Sequence, residues 1–230
     1  MKNSFPRRLT SEFLGTGFLV AAVVGSGIMA DRLCGGNSGL ALLANTIATG
    51  AALVALILTL SPISGAHLNP AVTLAEAIAG GIKRKDAIGY AAVQTLGGLG
   101  GTIAANLMFG LPAVSVSLRA RRGPAQWFSE FVATFGLVLV IWVCLRVRSS
   151  SVALAVGAYI TAAYWFTAST SFANPAVTIA RAASNTFAGI RPSDVPGFIA
   201  AQLAAAVSAT LLCQWLGAEF SATAKDARHS

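Results

Sequence analysis

Two tripeptides carry the chemistry of this sequence, Asn69-Pro70-Ala71 and Asn174-Pro175-Ala176. They open longer matches, NPAVTLA at 69–75 and NPAVTIA at 174–180, separated by an offset of 105 residues. Asn is a preferred helix N-cap, and Pro suits the first helical position because the N–H it lacks has no partner there. One such tripeptide reads as an ordinary helix start. Two, with matching sequels and each following an apolar run, predict paired helix starts, each with about half a positive charge at its N-terminal end. With its oxygen holding its own helix, each Asn amide can turn its NH₂ group toward a passing molecule. Such a pair would attract acceptor oxygens and repel cations.

The rest of the chain says where these starts must sit. Of 230 residues, 55% are hydrophobic and 10% charged, against about 25% charged in a soluble domain. Residues 33–75, 87–118, 149–180 and 195–218 contain no Asp, Glu, Lys or Arg. Each run exceeds the ~20 apolar residues that cross a bilayer core. Soluble-enzyme, nucleic-acid-binding and disordered classes are excluded, and the partner of the surface is lipid. The net charge of +8 comes from basic residues that fall mostly between the apolar runs, which is the signature of membrane topology. Cys34, Cys144 and Cys213 are far apart and form no CxxC, so neither a metal nor another cofactor is expected. Lys2, Arg7 and Arg8 ahead of the apolar run 13–30 resemble a signal peptide, but five later spans and no A-x-A site favour a retained first helix.

Six spans are predicted, at about 11–30, 40–60, 86–107, 126–146, 151–168 and 195–217. The runs 33–75 and 149–180 are too long for one span each, and both surpluses contain Asn-Pro-Ala. A surplus of about 10–12 residues rises only ~15–18 Å as helix, half of a ~30 Å hydrocarbon core. Re-entrant half-helices fit that length. The chain also repeats: Glu12 and Thr16 correspond to Glu130 and Thr134, and Asp86, Gly89 and Gln94 to Asp194, Gly197 and Gln202. Three spans per copy is an odd number, so the second copy must be inverted, with function at the midplane where the broken helices meet. This gives an all-α membrane fold with halves 11–107 and 126–217, an outer linker 108–125, and tails 1–10 and 218–230. Placing the N-terminus inside puts ten basic residues on the inner side and six on the outer. Both termini are therefore expected in the cytoplasm, with the chain in the plasma (inner) membrane.

Over residues 10–217 the sequence resembles the aquaporins of the major intrinsic protein family. The resemblance rests on Glu12-Phe-Leu-Gly-Thr16, Ser64-Gly-Ala-His-Leu-Asn-Pro-Ala-Val-Thr73, Gln94-Thr-Leu-Gly-Gly98 and the second Asn174-Pro-Ala176. It implies six helices and two half-helices around a pore in each protomer, a homotetramer, and passive flow of small uncharged solutes. Half-helix dipoles that hinder cations and protons are a device already known from aquaporin-type pores. The resemblance further implies that Glu12 and Glu130 hold the backbone of the re-entrant loops. His67 is expected at the inner vestibule or bonded within its loop. Gly97 and Gly101 form a small-xxx-small pair for close helix packing. Glu76 and Arg181 occupy equivalent repeat positions, and the sequence leaves open whether they face solvent or function.

Counting from the Asn residues, the resemblance implies an outer filter of Thr49, Ala162, Ser171 and Val177. Typical water channels resemble Phe, His, a small residue and Arg there; here the Arg is absent. Arg181 lies a further helical turn along and does not replace it by position. Thr49 and Ala162 are small, and Val177 removes a cation and up to five donors. The filter is expected to be broad and uncharged. The function expected is a passive channel for water, glycerol and metalloids such as arsenous acid or organic arsenicals. A coupled secondary transporter also fits inverted repeats with broken helices, and a closed-pore structural protein is a third class.

Overall fold

A computed structural model describes residues 3–226, with side chains described as far as Gly217. Lys2 and Arg228 of the charge count lie outside the described residues, and the side chain of Lys225 does too. Every regular element among the described residues is helical. In chain order these are α1 (Phe5–Leu33), α2 (Ser38–Ser64), α3 (Pro70–Ile78), α4 (Arg84–Met108), α5 (Pro124–Val147), α6 (Val152–Phe166), α7 (Pro175–Arg181) and α8 (Val195–Asp226). The pattern long, long, short, long occurs twice. α3 has 9 residues and α7 has 7, rises of about 14 and 10 Å. Neither reaches half of a ~30 Å hydrocarbon core.

Four segments, α1, α2, α5 and Pro192–Gly217, are long and apolar enough to cross a membrane by themselves. The other two long helices depend on their neighbours. α4 opens on Arg84, Lys85 and Asp86, and α6 has 15 residues, extended at its start by the 3-10 turn Ser149–Ser151.

The helices meet where the sequence has small residues. α1 packs on α4 and α2, α5 on α8 and α6, and α2 on α6. A methyl at Gly97 would overlap the backbone of Phe13, and one at Gly101 the backbone of Gly17, so α1 and α4 touch main chain to main chain. Gly50 and Gly157 do the same for α2 and α6: a Cβ on Gly157 would stand 2.8 Å from the Gly50 carbonyl. Each half-helix also lies between the two halves of the molecule, α3 and α7 both packing on α4 and α8. Outside, Phe18, Ile47, Leu58, Ile88, Phe128 and Trp215 are exposed. Apolar side chains turned outward around such a bundle suit acyl chains rather than water.

Candidate functional site

The two Asn-Pro-Ala tripeptides start α3 and α7 in the same way. Asn69 accepts from the Ala71 N–H at 2.9 Å, and Asn174 from the N–H groups of Ala176 and Val177 at 3.0 and 3.2 Å. Pro70 and Pro175 each take the first helical position. The NH₂ groups then cross over. Asn69 Nδ2 donates to the Ala173 carbonyl at 2.7 Å, and Asn174 Nδ2 to the Leu68 carbonyl at 2.8 Å. Each amide has two N–H donors, so one ties the opposite loop and the other is left for the cavity that both Asn side chains line. The expectation that the whole NH₂ group faces a passing molecule is corrected to this extent.

Those loop carbonyls are held by strained backbone. Ala66, Leu68, Ser171 and Ala173 have φ of 48°, 50°, 48° and 47°, a left-handed conformation costing non-glycine residues of order 1–3 kcal/mol each. The pairs Ala66/Ser171 and Leu68/Ala173 share the 105-residue offset of the tripeptides. A buried carboxylate opposes the strain in each loop. Glu12 Oε1 accepts from the His67 N–H and Oε2 from the Leu68 N–H, at 3.0 and 2.7 Å. Glu130 does the same for Phe172 and Ala173, at 2.9 and 2.8 Å. Gln94 and Gln202 donate to Glu12 and Glu130 and also to Thr73 and Thr178 of the half-helices. No water is present in a bilayer core to replace any of these bonds.

Around the tripeptides runs a cavity of about 520 Å³ with largely apolar walls. His67 lines it beside Asn69, its Nδ1 3.1 Å from Thr73 Oγ1 and its ring edge-on to Tyr90. Thr49, Ser171 and Val177 also line it. Ala162 does not: it is exposed on the far side of α6. The cavity wall there is made by Ile160 and Tyr164, which are four residues apart and share a helix face. Counting twelve residues back from Asn174 crosses the non-helical segment 167–173, where residue number no longer fixes a helix face. The consequence is a bulkier wall than expected. The Tyr164 hydroxyl donates to Thr49 Oγ1 at 3.3 Å, filling space that a pair of small residues would have left open.

The filter is expected to be uncharged, and charge stands elsewhere on the cavity wall. Glu76 and Arg181 both line the cavity, and Arg181 is only 2% exposed. Its guanidinium carbon Cζ stands 3.4 Å from the centre of the Phe172 ring, while Nε donates to the Ala188 carbonyl. On the same ring, at 4.9 Å, sits Arg121 from the segment between α4 and α5. Arg121 ties that segment down through the carbonyls of Gly189 and Ser169, at 2.9 and 3.0 Å. Burial lowers its pKa to about 9, with the charges of Arg181 and Arg119 adding to the shift, so it remains a cation at neutral pH. Phe172 and Tyr164 carry no signal in the sequence beyond aromaticity in an apolar run.

The sequence profile of the major intrinsic protein family matches residues 1–150. The aquaglyceroporin AqpS of Rhizobium meliloti (strain 1021) is 58% identical over 210 residues, which is 91% of this chain and 90% of that protein. Aquaporin NIP1-4 of Oryza sativa subsp. japonica is 34% identical over 143 residues, 61% of this chain and 51% of that protein. The X-ray structure of the aquaglyceroporin from Plasmodium falciparum superposes with a TM-score of 0.69 at 25% identity, covering 92% of this chain and 95% of that one. Repeated half-helices, paired tripeptides and near full-length identity agree: the chain belongs to the major intrinsic protein family, whose members are membrane channels and not enzymes.

Proposed function

We propose that the chain is a passive pore for small uncharged solutes, passing water, glycerol and metalloid hydroxides such as arsenous acid or organic arsenicals. The observation that carries this reading is Val177 on the cavity wall beside Thr49 and Ser171. An aliphatic side chain three residues after Asn174 presents neither charge nor donors, so a solute larger or less polar than water loses little hydration competition there. The aquaglyceroporin name of the relative that matches nearly the whole chain favours glycerol. Asn69 and Asn174, with Pro70, Ala71, Pro175 and Ala176, form the midplane donors. Thr49, Ser171 and Val177 form the outer filter, Glu12 and Glu130 fix the loops, and His67 lies toward the inner vestibule. The protein works as a homotetramer in the plasma (inner) membrane with both termini in the cytoplasm.

Stopped-flow light scattering on proteoliposomes, comparing water, glycerol and arsenous acid, tests this. All three should cross faster than in protein-free vesicles, with no dependence on a proton or sodium gradient. Flux that needs such a gradient indicates a coupled transporter, and absence of flux for all three a closed pore.

A further inference from the structure

Charge is scarce along the cavity. Apart from His67, its titratable lining residues are Glu76, Tyr164 and Arg181, and Arg181 is the fixed cation. It lies four residues, about one helical turn, beyond Val177 on α7. Among the described residues the ion pairs are Arg8–Asp86 and Arg191–Asp194, so no carboxylate forms a contact ion pair with Arg181. A guanidinium has five N–H donors; Nε serves the Ala188 carbonyl, and Nη1 is buried with no partner. Ser171, the chain neighbour of Phe172 beneath this guanidinium, also lines the cavity, and its buried Oγ has no partner either. Two polar atoms buried without partners in the wall of one apolar cavity are costly.

We propose that Arg181, with Ser171, forms the docking site at which an acceptor oxygen of the entering solute, a polyol or a small oxyacid, is taken from water before it passes Val177. Width and charge, combined in one side chain when an arginine follows the tripeptide directly, are divided here between Val177 and Arg181. The contact with the Phe172 ring and the Nε bond hold the guanidinium in place, so binding an oxygen requires little reordering. The same cation adds to the positive ends of α3 and α7 in repelling inorganic cations. This inference rests on the pore reading above.

The test uses proteoliposomes of matched protein content carrying native protein, Arg181→Leu or Arg181→Lys. Glycerol permeability and sodium leak are read in each, and native vesicles are also read with inorganic phosphate replacing chloride on both faces at constant ionic strength. Arg181→Leu should lower glycerol permeability about tenfold, the worth of one charged hydrogen bond, and admit sodium. Arg181→Lys loses the guanidinium contact with Phe172 but keeps the charge, so it should still exclude sodium. Phosphate should slow glycerol in native vesicles about twofold by occupying the guanidinium. Native behaviour in Arg181→Leu, or an equal sodium leak in both variants, overturns the proposal in favour of a purely structural arginine. Where Arg181→Leu fails to fold, the phosphate arm decides alone, and no slowing overturns it. Native vesicles that pass neither glycerol nor water sink the pore reading itself, and the docking site with it.

Discussion

Asn69 and Asn174 each hold the backbone just ahead of the other: Asn69 Nδ2 reaches the Ala173 carbonyl at 2.7 Å, and Asn174 Nδ2 reaches Leu68 at 2.8 Å. Leu68 and Ala173 are also the residues whose N–H groups Glu12 and Glu130 accept. Each re-entrant loop is therefore fixed twice, by a carboxylate from its own half and by an amide from the opposite half. The two half-helices cannot shift independently, which keeps both positive helix ends aimed at the same region of the cavity.

Replacing either Asn by Asp tests that coupling. Asn69→Asp and Asn174→Asp remove the crossing donor, set a carboxylate oxygen against a carbonyl, and place an anion where two positive helix ends converge. Sodium and potassium conductance should rise several-fold in both variants while protein abundance in the membrane falls modestly. Conductance at the native level in both would show that the tripeptides do not face the permeation path.

Glu12 and Glu130 offer a second test, in stability rather than flux. In each, both carboxylate oxygens accept a backbone N–H. Gln keeps one of those bonds and turns its own NH₂ against the second donor; Ala abandons both. Leaving a buried donor unpaired costs about 1–3 kcal/mol. Thermal unfolding in detergent should therefore rank native above Gln above Ala at either position. Equal midpoints for Glu130→Gln and Glu130→Ala would mean the carboxylate does not support the loop.

Much of this architecture was legible in the sequence because its causes are local or periodic. Charge-free runs set the spans, the tripeptides marked the short helices, and the matched Glu and Gln residues announced the inverted repeat. Gly97 and Gly101 predict close helix packing, and the partner is α1, whose backbone a methyl at either position would overlap. What was not legible depends on faces and distances across irregular backbone. The count from Asn174 to Ala162 runs through 167–173, whose φ values at Thr170, Ser171 and Ala173 are positive, and no count through such a segment preserves helix phase. Spacing alone leaves the role of Arg181 open. Its burial depends on Phe172 and the Ala188 carbonyl, partners that only folding brings beside it.

Val177 is where size and charge can be separated. It lies on the cavity wall one turn before Arg181, so a cation is already present nearby. Val177→Arg therefore acts mainly by adding a long planar side chain, with a like-charge neighbour that pushes it toward the lumen. Water flux should be preserved or modestly lowered, while glycerol and methylated arsenical flux should fall sharply. Thr49→Phe, opposite Tyr164, narrows the same region by bulk without adding charge and should act in the same direction. Paired water and solute permeabilities, measured in vesicles of matched protein content, resolve the two effects. A solute blocked by Val177→Arg yet passed by Thr49→Phe is rejected by charge or donors, and one blocked by both is rejected by size. Native glycerol flux in Val177→Arg would remove Val177 from the constriction, leaving the discrimination to the wall of Ile160, Tyr164 and Thr49.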